Sequence, residues 1–288
     1  IDGDLILASK LMPTSFGIGL QKKYSSGKPL IVDIDDWELG FFYHSGFWGA
    51  AGRFLNFSNP NGLPYVWRME SLAGNADATS VSNRFLQKKF GGVLLPHCRD
   101  TTVLDPLKFN SDKIKEKMGF KNKKIVMFLG TLRPHKGVDD LLAALKIIDN
   151  PDLKLAIIGA ENHHEFLERV EQSIRHRVVV LPKISFEKLP EFLSAADIIA
   201  IPQRRTSDSA GQIPARLFDA MSMAKSIIAT RISDIPEVLG DCGYLVDSSE
   251  PSQLADAIQY ILDHPDEARA KGHAARERSK QKYDIHNL

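Results

Sequence analysis

Short apolar runs alternate with amphipathic stretches along the chain. In the first part the runs predict strands at DLILAS (4–9), PLIVDI (29–34), ATSVS (78–82) and GVLLPH (92–97). Between them, GIGLQKKYSS and RFLQKKF have helical spacing with basic outer faces, and SDKIKEKMGF (111–120) predicts a short amphipathic helix with a Ser cap. Strands that alternate with helices in this way indicate a parallel sheet.

A second series of the same kind follows. Four predicted strands, KKIVMFLG, LKLAIIG, VVVLP and DIIAIP, are each followed by a helical pattern, and SIIAT and QLADAIQYILDH complete the series. DPLKFNS interrupts the rhythm near residues 105–112. We therefore predict an α/β fold with a partial first domain at 1–110, a doubly wound second domain at 111–275, and the start of a C-terminal helix at 276–288.

Composition narrows the class of protein. The 288 residues are 43% hydrophobic and 25% charged, with a formal net charge of +1, which predicts a soluble globular protein without a large nucleic-acid footprint. Cys98 and Cys242 do not have the spacing of a disulfide framework or zinc site. The sequence also contains no run of 18 apolar residues, the length needed to span a bilayer. Because the chain starts at Ile1 in mid-pattern, we expect the beginning of the protein to be missing.

The loop FLGTLRPHKGVDDLL joins the first strand and helix of the second series. Gly130 ends the strand, Arg133 and Lys136 lie three residues apart, and Gly137 precedes the helix. The loop matches neither GxxxxGK[ST] nor GxGxxG, which argues against an ATPase and a classical NAD enzyme. Two cations beside a helix N-terminus suit a diphosphate. The alternative is a solvated Arg/Lys pair on a turn.

The segment SDSAGQIPARLFDAM (207–221) starts a later helix. Pro214 fits the first helical turn, and Gly211 would let the backbone approach a ligand. The amides at 212–216, starting with Gln212 and Ile213, would face the carboxyl edge of the sheet, with Arg216 nearby. Asp219 could bind a ribose, since a carboxylate can accept hydrogen bonds from two hydroxyls. Otherwise it is a helical Asp on the solvent face.

A third loop, LPKISFEKLP, follows the strand VVVLP. The main chain at Lys183 and Ile184 could pair with the edge of a nucleotide base, or the loop is an ordinary connector.

Taken together, these loops resemble the donor-binding domain of glycosyltransferase family 4, which has the GT-B fold. The resemblance covers about 165 residues, and its most specific part is PARLFDAM…SIIAT…IPEVL…GYLV. Upstream, ADATSVSNRFLQKKFGGVLLPHCRD resembles the end of that family's acceptor domain. The resemblance thus implies two Rossmann-like domains, with the first truncated.

The resemblance implies a retaining transfer of a sugar from a nucleotide-diphosphate sugar, UDP- or GDP-linked, to an acceptor hydroxyl. It implies no bound metal or other cofactor. Lys136 with Arg133 would neutralise the diphosphate beside Gly130 and Thr131, and Asp219 would hold the ribose.

The sequence departs from the family pattern at three positions. Gly211 stands where the first acid of the family's E-x7-E pair is expected, Asp219 shortens the second acid, and Thr131 replaces a common arginine. Asp208 is a possible substitute for the first acid. Members of the family with a P-x-[KR]-L-F-D helix start lack that acid too, which favours a subgroup over an inactive enzyme.

In the first domain, IVDIDDWELG places Asp33, Asp35 and Asp36 at the end of a predicted strand. The resemblance puts Asp33 near the reaction centre, where it could orient the acceptor hydroxyl. The alternative is that these acids are solvated or cap the next element. We discount the interpretation of DID as a DxD metal site, which belongs to another glycosyltransferase architecture.

Residues 37–67 hold ten of the 24 aromatic residues, including Trp37, Trp48 and Trp67. They predict a core segment or, alternatively, an acceptor groove or a patch at the membrane interface. The expected partners are a nucleotide sugar and a saccharide acceptor, free or lipid-linked, and no nucleic acid. The expected location is the cytoplasm, with the inner face of the membrane as the alternative.

Other functions stay open. A non-catalytic nucleotide-sugar-binding or scaffold module is compatible with the missing first acid. A GT-B epimerase is a further alternative, whereas a pyridoxal-phosphate phosphorylase would need a much larger chain with a cofactor lysine.

Overall fold

Residues 3–45, 58–160 and 163–287 are described in the computed structural model. By its internal contacts the chain divides into two compact units. The first consists of residues 1–96 and 205–213, and the second of residues 97–204 and 214–288. This division lies earlier than the predicted boundary at 110/111, and it assigns residues 205–213 to the first unit.

The described residues form ten parallel strands in two sheets. They are β1 Ile6–Ser9, β2 Leu30–Ile34, β3 Ala78–Val81, β4 Val93–Leu94, β5 Lys124–Leu129, β6 Leu153–Ile158, β7 Val178–Leu181, β8 Ile198–Ile201, β9 Ser226–Thr230 and β10 Tyr244–Val246.

The described α-helices vary from one turn to eighteen residues. They are α1 Ile18–Ser26, α2 Leu63–Ser71, α3 Arg84–Phe90, α4 Ser111–Lys117, α5 Val138–Ile147, α6 His163–Arg169, α7 Gln172–Arg175, α8 Leu189–Ala195, α9 Ser207–Ala210, α10 Ala215–Ser222, α11 Ile235–Leu239, α12 Pro251–Asp263 and α13 Pro265–Lys282.

The sheet of the first unit has the strand order β1-β2-β3-β4. Alternate positions of β2 are buried, and Leu30 and Val32 pack in a core with Leu86 of α3 and Phe16. Residues on the opposite face are more exposed, and Leu7 reaches 69% exposure. Side chains alternate between the two faces of a strand. The described helices therefore cover mainly one face of this sheet.

The sheet of the second unit has the order β10-β9-β8-β5-β6-β7. Every residue of β8 and β9 is buried, and so are all residues of β5 after Lys124. Such continuous apolar runs are typical of parallel strands with both faces covered. Helices α5 and α12 supply much of the core that packs on this sheet, with Leu141 and Leu145 from α5 and Leu254 and Ile258 from α12.

The predicted elements differ from the observed ones at some ends. The predicted helix HEFLERVEQSI is two helices, α6 and α7, and the predicted strand at 92–97 is only Val93–Leu94. The cap of α4 is Asn110, whose side chain accepts from the Lys113 N–H, and not Ser111.

Helix α13 starts at Pro265, eleven residues before the predicted helix start at 276. Its buried residues are small, Ala268, Gly272, Ala275 and Ser279, so the helix lacks the large apolar stripe that predicts an amphipathic helix.

Candidate functional site

The strand order of the second unit reverses at β5. The chain passes from β5 to β6 and β7 on one side, and then returns to β8, β9 and β10 on the other. In open α/β sheets, ligands bind beyond the carboxyl ends of the strands at such a switch point. We therefore expect a ligand site at the loops that follow β5 and β8.

Glycines shape the loop after β5. Gly130 has a φ of 138°, and its N–H donates to the Ile158 carbonyl at 2.9 Å. Gly137 has a φ of 72° and is the residue before α5, and a Cβ there would collide with the Pro202 carbonyl oxygen. The loops after β5 and β8 thus touch at Gly137, a contact that only glycine allows.

Arg204 holds this loop against the first turn of α5. Its guanidinium donates to both carboxylate oxygens of Asp140, at 2.7 and 2.8 Å. The backbone N–H of Arg204 donates to the carbonyl of the buried His135. The hydrogen bond to Asp140 raises the pKa of Arg204. Bidentate pairs of this kind are geometrically specific. Arg133 and Lys136 therefore lie on a loop whose C-terminal end is held by Arg204. Sequence reasoning missed this contact.

Two neighbouring cavities lie at the carboxyl ends of β5, β6 and β7. The larger has a volume of about 440 Å³ and the smaller about 160 Å³, and both are lined by Thr131 and Gly159. The smaller cavity brings together four of the predicted site residues, Gly130, Thr131, Lys183 and Ile184.

The larger cavity is lined by the predicted Arg133 and by residues that sequence reasoning missed, among them Phe166 and Arg169 of α6. Gly159, at the end of β6, was missed as well. Its signal in the sequence is a glycine directly after a buried strand, and its φ of 107° needs that residue type. Lys136 lies at the end of the 3-10 turn Pro134–Lys136 and is partly buried.

Pro214 is the residue before α10, and Arg216 lies in the first turn of that helix. The Arg216 guanidinium lies over the Phe128 ring, 4.8 Å from its centroid, and donates to the Leu129 carbonyl. Burial lowers the pKa of Arg216 to about 10, and the charge of Asp219 opposes that shift. The Arg216 guanidinium packs against Gly130, where a Cβ would collide with it. Its contact with a donor stays a prediction.

Asp219 is only 6% exposed, so the alternative of a solvent-facing Asp is wrong. Arg99 donates from Nε to its carboxylate, and also donates to the Cys98 carbonyl at 2.8 Å and the Ala215 carbonyl at 3.2 Å. Burial raises the pKa of Asp219, and Arg99 is the first of the charges that oppose the shift. The predicted ribose contact stays a prediction, and Arg99 is a functional candidate that the sequence pattern did not indicate.

Residues 205–213 belong to the first unit. Gln212 donates from its backbone N–H to the Ser209 carbonyl at 3.3 Å, so this amide already has a hydrogen-bond partner. Gly211 packs against Trp37, where a Cβ would lie 2.5 Å from the Trp37 Cβ. Ile213 is buried. The side chain of Asp208 lies outside what the structure describes, so its role as a substitute acid stays a prediction.

The acids at the end of β2 and just after it have distinct environments. Asp33, within β2, accepts from the Ser80 hydroxyl at 2.6 Å. Asp36 pairs with Lys10 at 2.9 Å, and Lys10 also pairs with Glu38 at 2.8 Å. Hydrogen bonds and charges from the two acids outweigh burial and raise the pKa of Lys10. Asp36 is thus engaged in an ion pair, whereas Asp33 faces a hydroxyl.

The aromatic segment divides into separate environments. The ring centroids of Trp37 and Phe85 lie 5.3 Å apart, and Trp37 donates from Nε1 to Glu70, as a core residue would. Trp67 is 53% exposed. Trp48 lies outside the described residues.

The described residues contain no group of three or more His, Cys, Asp or Glu placed to hold a metal ion. Among their helices, none has the length and apolar character needed to cross a membrane.

Comparisons with known proteins bear on the family and the fold of the chain. The sequence profile of the family described as "Glycosyl transferases group 1" matches residues 110–278. A GDP-mannose-dependent alpha-(1-6)-phosphatidylinositol monomannoside mannosyltransferase of Mycolicibacterium smegmatis is 27% identical over 72% of this chain and 59% of its own length. An alpha-maltose-1-phosphate synthase of the same organism is 30% identical over 62% of this chain and 49% of its own length.

Solved structures share the fold over nearly the whole chain. HepE from Anabaena, solved with UDP and glucose, superposes with a TM-score of 0.77 at 18% identity, over 97% of this chain and 74% of its own. Sucrose-phosphate synthase from Thermosynechococcus elongatus gives the same TM-score at 20% identity, over 98% of this chain and 70% of its own. The predicted α/β fold of the GT-B type is confirmed.

The chain spans about half the length of the curated relatives that it matches. The family match nevertheless covers more than half of the chain. The protein therefore belongs to the glycosyl transferases group 1 family.

Proposed function

We propose that the protein is part of a retaining, metal-independent glycosyltransferase that moves a sugar from a nucleotide-diphosphate sugar to an acceptor hydroxyl. The observation that carries this proposal is the loop Gly130–Gly137, which presents Arg133 and Lys136 at the switch point of the second unit. The adjoining cavity is lined by Lys183 and Ile184. UDP and GDP are both candidates for the nucleotide, since HepE was solved with UDP and the mannosyltransferase relative is named for GDP-mannose.

In the proposed reaction the acceptor oxygen forms a bond to the anomeric carbon, and the bond between that carbon and the diphosphate oxygen breaks. The acceptor proton passes to the departing diphosphate. Negative charge therefore grows on the diphosphate in the transition state, where fixed cations stabilise it most. Lys136 and Arg133 supply those cations, and the N-terminus of α5 adds a partial positive charge.

Other site residues have supporting roles in the proposal. Main chain at Lys183 and Ile184 pairs with the base, and Asp219 faces the ribose. Pro214 and Arg216 border the diphosphate beside Gly130 and Thr131, and Asp33 orients the acceptor hydroxyl. The acceptor is a glycan or a lipid-linked saccharide. A cytoplasmic location, or one at the inner face of the membrane, belongs to the same proposal, and co-sedimentation with vesicles tests the membrane contact.

The Lys136→Ala variant tests the site. Because the lysine acts on the diphosphate, its loss should weaken binding of UDP or GDP far more than binding of uridine or guanosine. In a turnover assay it should lower kcat about 10²–10³-fold, by analogy with the loss of an oxyanion-hole donor. Calorimetric titration with nucleotides and nucleosides measures the first effect. Equal losses for both ligands would exclude the phosphate role.

A matched control is Lys146→Ala. Lys146 lies in the last turn of α5, where it is exposed and pairs with Glu171 at 2.8 Å. Its loss should leave nucleotide binding unchanged.

The main alternative is a module that binds nucleotide sugars without turning them over. Gly211 in place of the first acid of the family pattern favours it. Labelled UDP- and GDP-sugars separate the two functions. A protein that binds them, but neither transfers nor hydrolyses them as this chain or at full length, is the binding module.

A further inference from the structure

Residues 205–213 are joined at both ends to the second unit, through Arg204 and Pro214, yet their contacts place them in the first unit. The segment contains the one-turn helix α9, whose N-terminus is held by a capping box between Thr206 and Ser209. It runs directly into Pro214, the residue before α10. The backbone of its last residues is therefore continuous with the start of α10.

Two contacts hold the end of this segment. Gly211 packs so closely on Trp37 that a Cβ would lie 2.5 Å from the Trp37 Cβ and 3.2 Å from its backbone nitrogen. Gln212 donates from Nε2 to the Asp36 carboxylate at 2.9 Å. A side chain at 211 would displace both contacts. The tight packing thus gives a physical reason for glycine where the family pattern has an acid.

Asp36 is a firm anchor for the Gln212 amide. Lys10 donates to Asp36 at 2.9 Å and to Glu38 at 2.8 Å. Lys10 adopts a left-handed backbone conformation, with a φ of 70°, which is uncommon for a residue with a side chain. A carboxylate held in this way accepts a charge-assisted hydrogen bond, which is roughly twice as strong as a neutral one.

We propose that Gln212 is a positioning residue for donor binding: its hydrogen bond to Asp36 fixes the backbone of residues 211–213 ahead of Pro214. This inference rests on the proposed function, in which Pro214 and Arg216 border the diphosphate. Gln212 acts through the backbone it holds, so its loss affects the affinity for the donor and not the chemistry of transfer.

The Gln212→Glu variant converts the hydrogen bond into a titratable pair. At about pH 5 the introduced carboxyl group, whose pKa is raised by the neighbouring carboxylate, can take up a proton and replace the amide as donor to Asp36. At about pH 8 both are ionised and repel each other. The other charged groups near this position are Lys10, Glu38 and Asp35, and, around Trp37, Glu70 and Lys89.

The expected result is a pH profile that the wild type lacks. Relative to wild type, Gln212→Glu should bind a UDP- or GDP-sugar about tenfold or more weakly at about pH 8 and nearly equally at about pH 5. Gln212→Leu, which has no donor at either pH, should bind weakly at both. In turnover, the change should appear in KM and not in kcat.

Gln259→Glu is a matched control. Gln259 also donates from Nε2 to an aspartate, Asp263, at 2.9 Å, but both are exposed on α12. This variant should bind donors like wild type at both pH values. Hydrogen exchange of residues 205–213 provides a readout without a ligand. Their protection factors should fall in Gln212→Glu at about pH 8 and recover at about pH 5.

The outcomes separate the two proposals. Wild-type binding of donors with a flat pH profile in Gln212→Glu overturns the role of Gln212. If wild type binds neither UDP- nor GDP-sugars, the proposed function fails. Hydrogen exchange then tests separately whether Gln212 anchors residues 211–213. Unchanged protection in Gln212→Glu then overturns the anchoring as well, whereas pH-dependent protection supports it.

Discussion

The two units are built from the same β/α pattern, but their sheets are buried differently. In the second unit, β8 and β9 are buried at every position, whereas in the first unit β2 alternates between buried and partly buried residues. A strand covered on both faces contributes each side chain to a core, and a strand covered on one face contributes every second one. The sheet that carries the candidate donor site is therefore the more firmly held of the two.

Truncation of one leucine in each unit should give the largest difference. Leu155 on β6 is 1% exposed and Leu7 on β1 is 69% exposed. Leu155→Ala should lower the free energy of unfolding by about 2–5 kcal/mol, since it leaves a cavity in a packed core. Leu7→Ala should change it by about 0.5 kcal/mol or less. Urea unfolding measures both. A large loss in Leu7→Ala would show that the exposed face of the first sheet is covered in solution.

Two glycines with the same backbone conformation sharpen the comparison. Gly27 and Gly137 have φ values of 69° and 72°, but a Cβ at 27 would meet nothing within 4 Å, whereas one at 137 would collide with the Pro202 carbonyl oxygen. Gly27→Ala should cost about 1 kcal/mol for the left-handed conformation alone. Gly137→Ala should cost about 2–4 kcal/mol, because the loops after β5 and β8 must also move apart.

Thermal unfolding with and without UDP checks this pair. Gly137→Ala should lose the stabilisation by the nucleotide, and Gly27→Ala should keep it. Equal costs for the two substitutions would contradict the close contact between the loops.

Two lysines should give effects that appear only as a change of stability with pH, with opposite signs. Burial lowers the pKa of Lys225 to about 8, and Lys225 donates to the Ser194 and Ala196 carbonyls. In the unfolded chain its pKa is near 10.5. From about pH 8 to pH 10.5 the folded state loses the proton first, so stability rises with pH in that window.

The pKa of Lys10 is raised instead, so its stabilising contribution is present below the ordinary pKa of 10.5 and is lost as pH rises through the folded-state value. Urea midpoints over a pH series test both groups. Lys225→Met should remove the rise above about pH 8, and Lys10→Met should lower stability at neutral pH. A pH slope that persists in Lys225→Met would assign it to another group.

Much of the fold follows from local patterns. Apolar runs such as KKIVMFLG and SIIAT are strands because β-branched and aromatic residues fit a pleated, buried surface, and the structure has them at Lys124–Leu129 and Ser226–Thr230. The start of helix α13 was not predicted, because its buried residues are small and do not form a large apolar stripe. They are Ala268, Gly272, Ala275 and Ser279. A Cβ on Gly272 would lie 2.5 Å from the Ala224 carbonyl oxygen, so small residues there reflect close packing rather than low burial.

The candidate site was predictable where its residues share one loop. Gly130, Arg133 and Lys136 could be singled out because a short loop after a strand is a local feature. Three further features could not be predicted, because each depends on a partner far away in the sequence. Arg99 pairs with Asp219, Arg204 pairs with Asp140, and Gly211 packs against Trp37.

By itself, the sequence determined the order of strands and helices, the family, and the loops that can meet a ligand, since these depend on neighbouring residues and their periodicity. Only the tertiary structure decided which of those side chains are already engaged. Asp219 is paired with Arg99, and Gln212 donates to Asp36. Such pairs are decided by how distant segments pack together, and hydrogen bonds and charges act only over the short distances that packing creates.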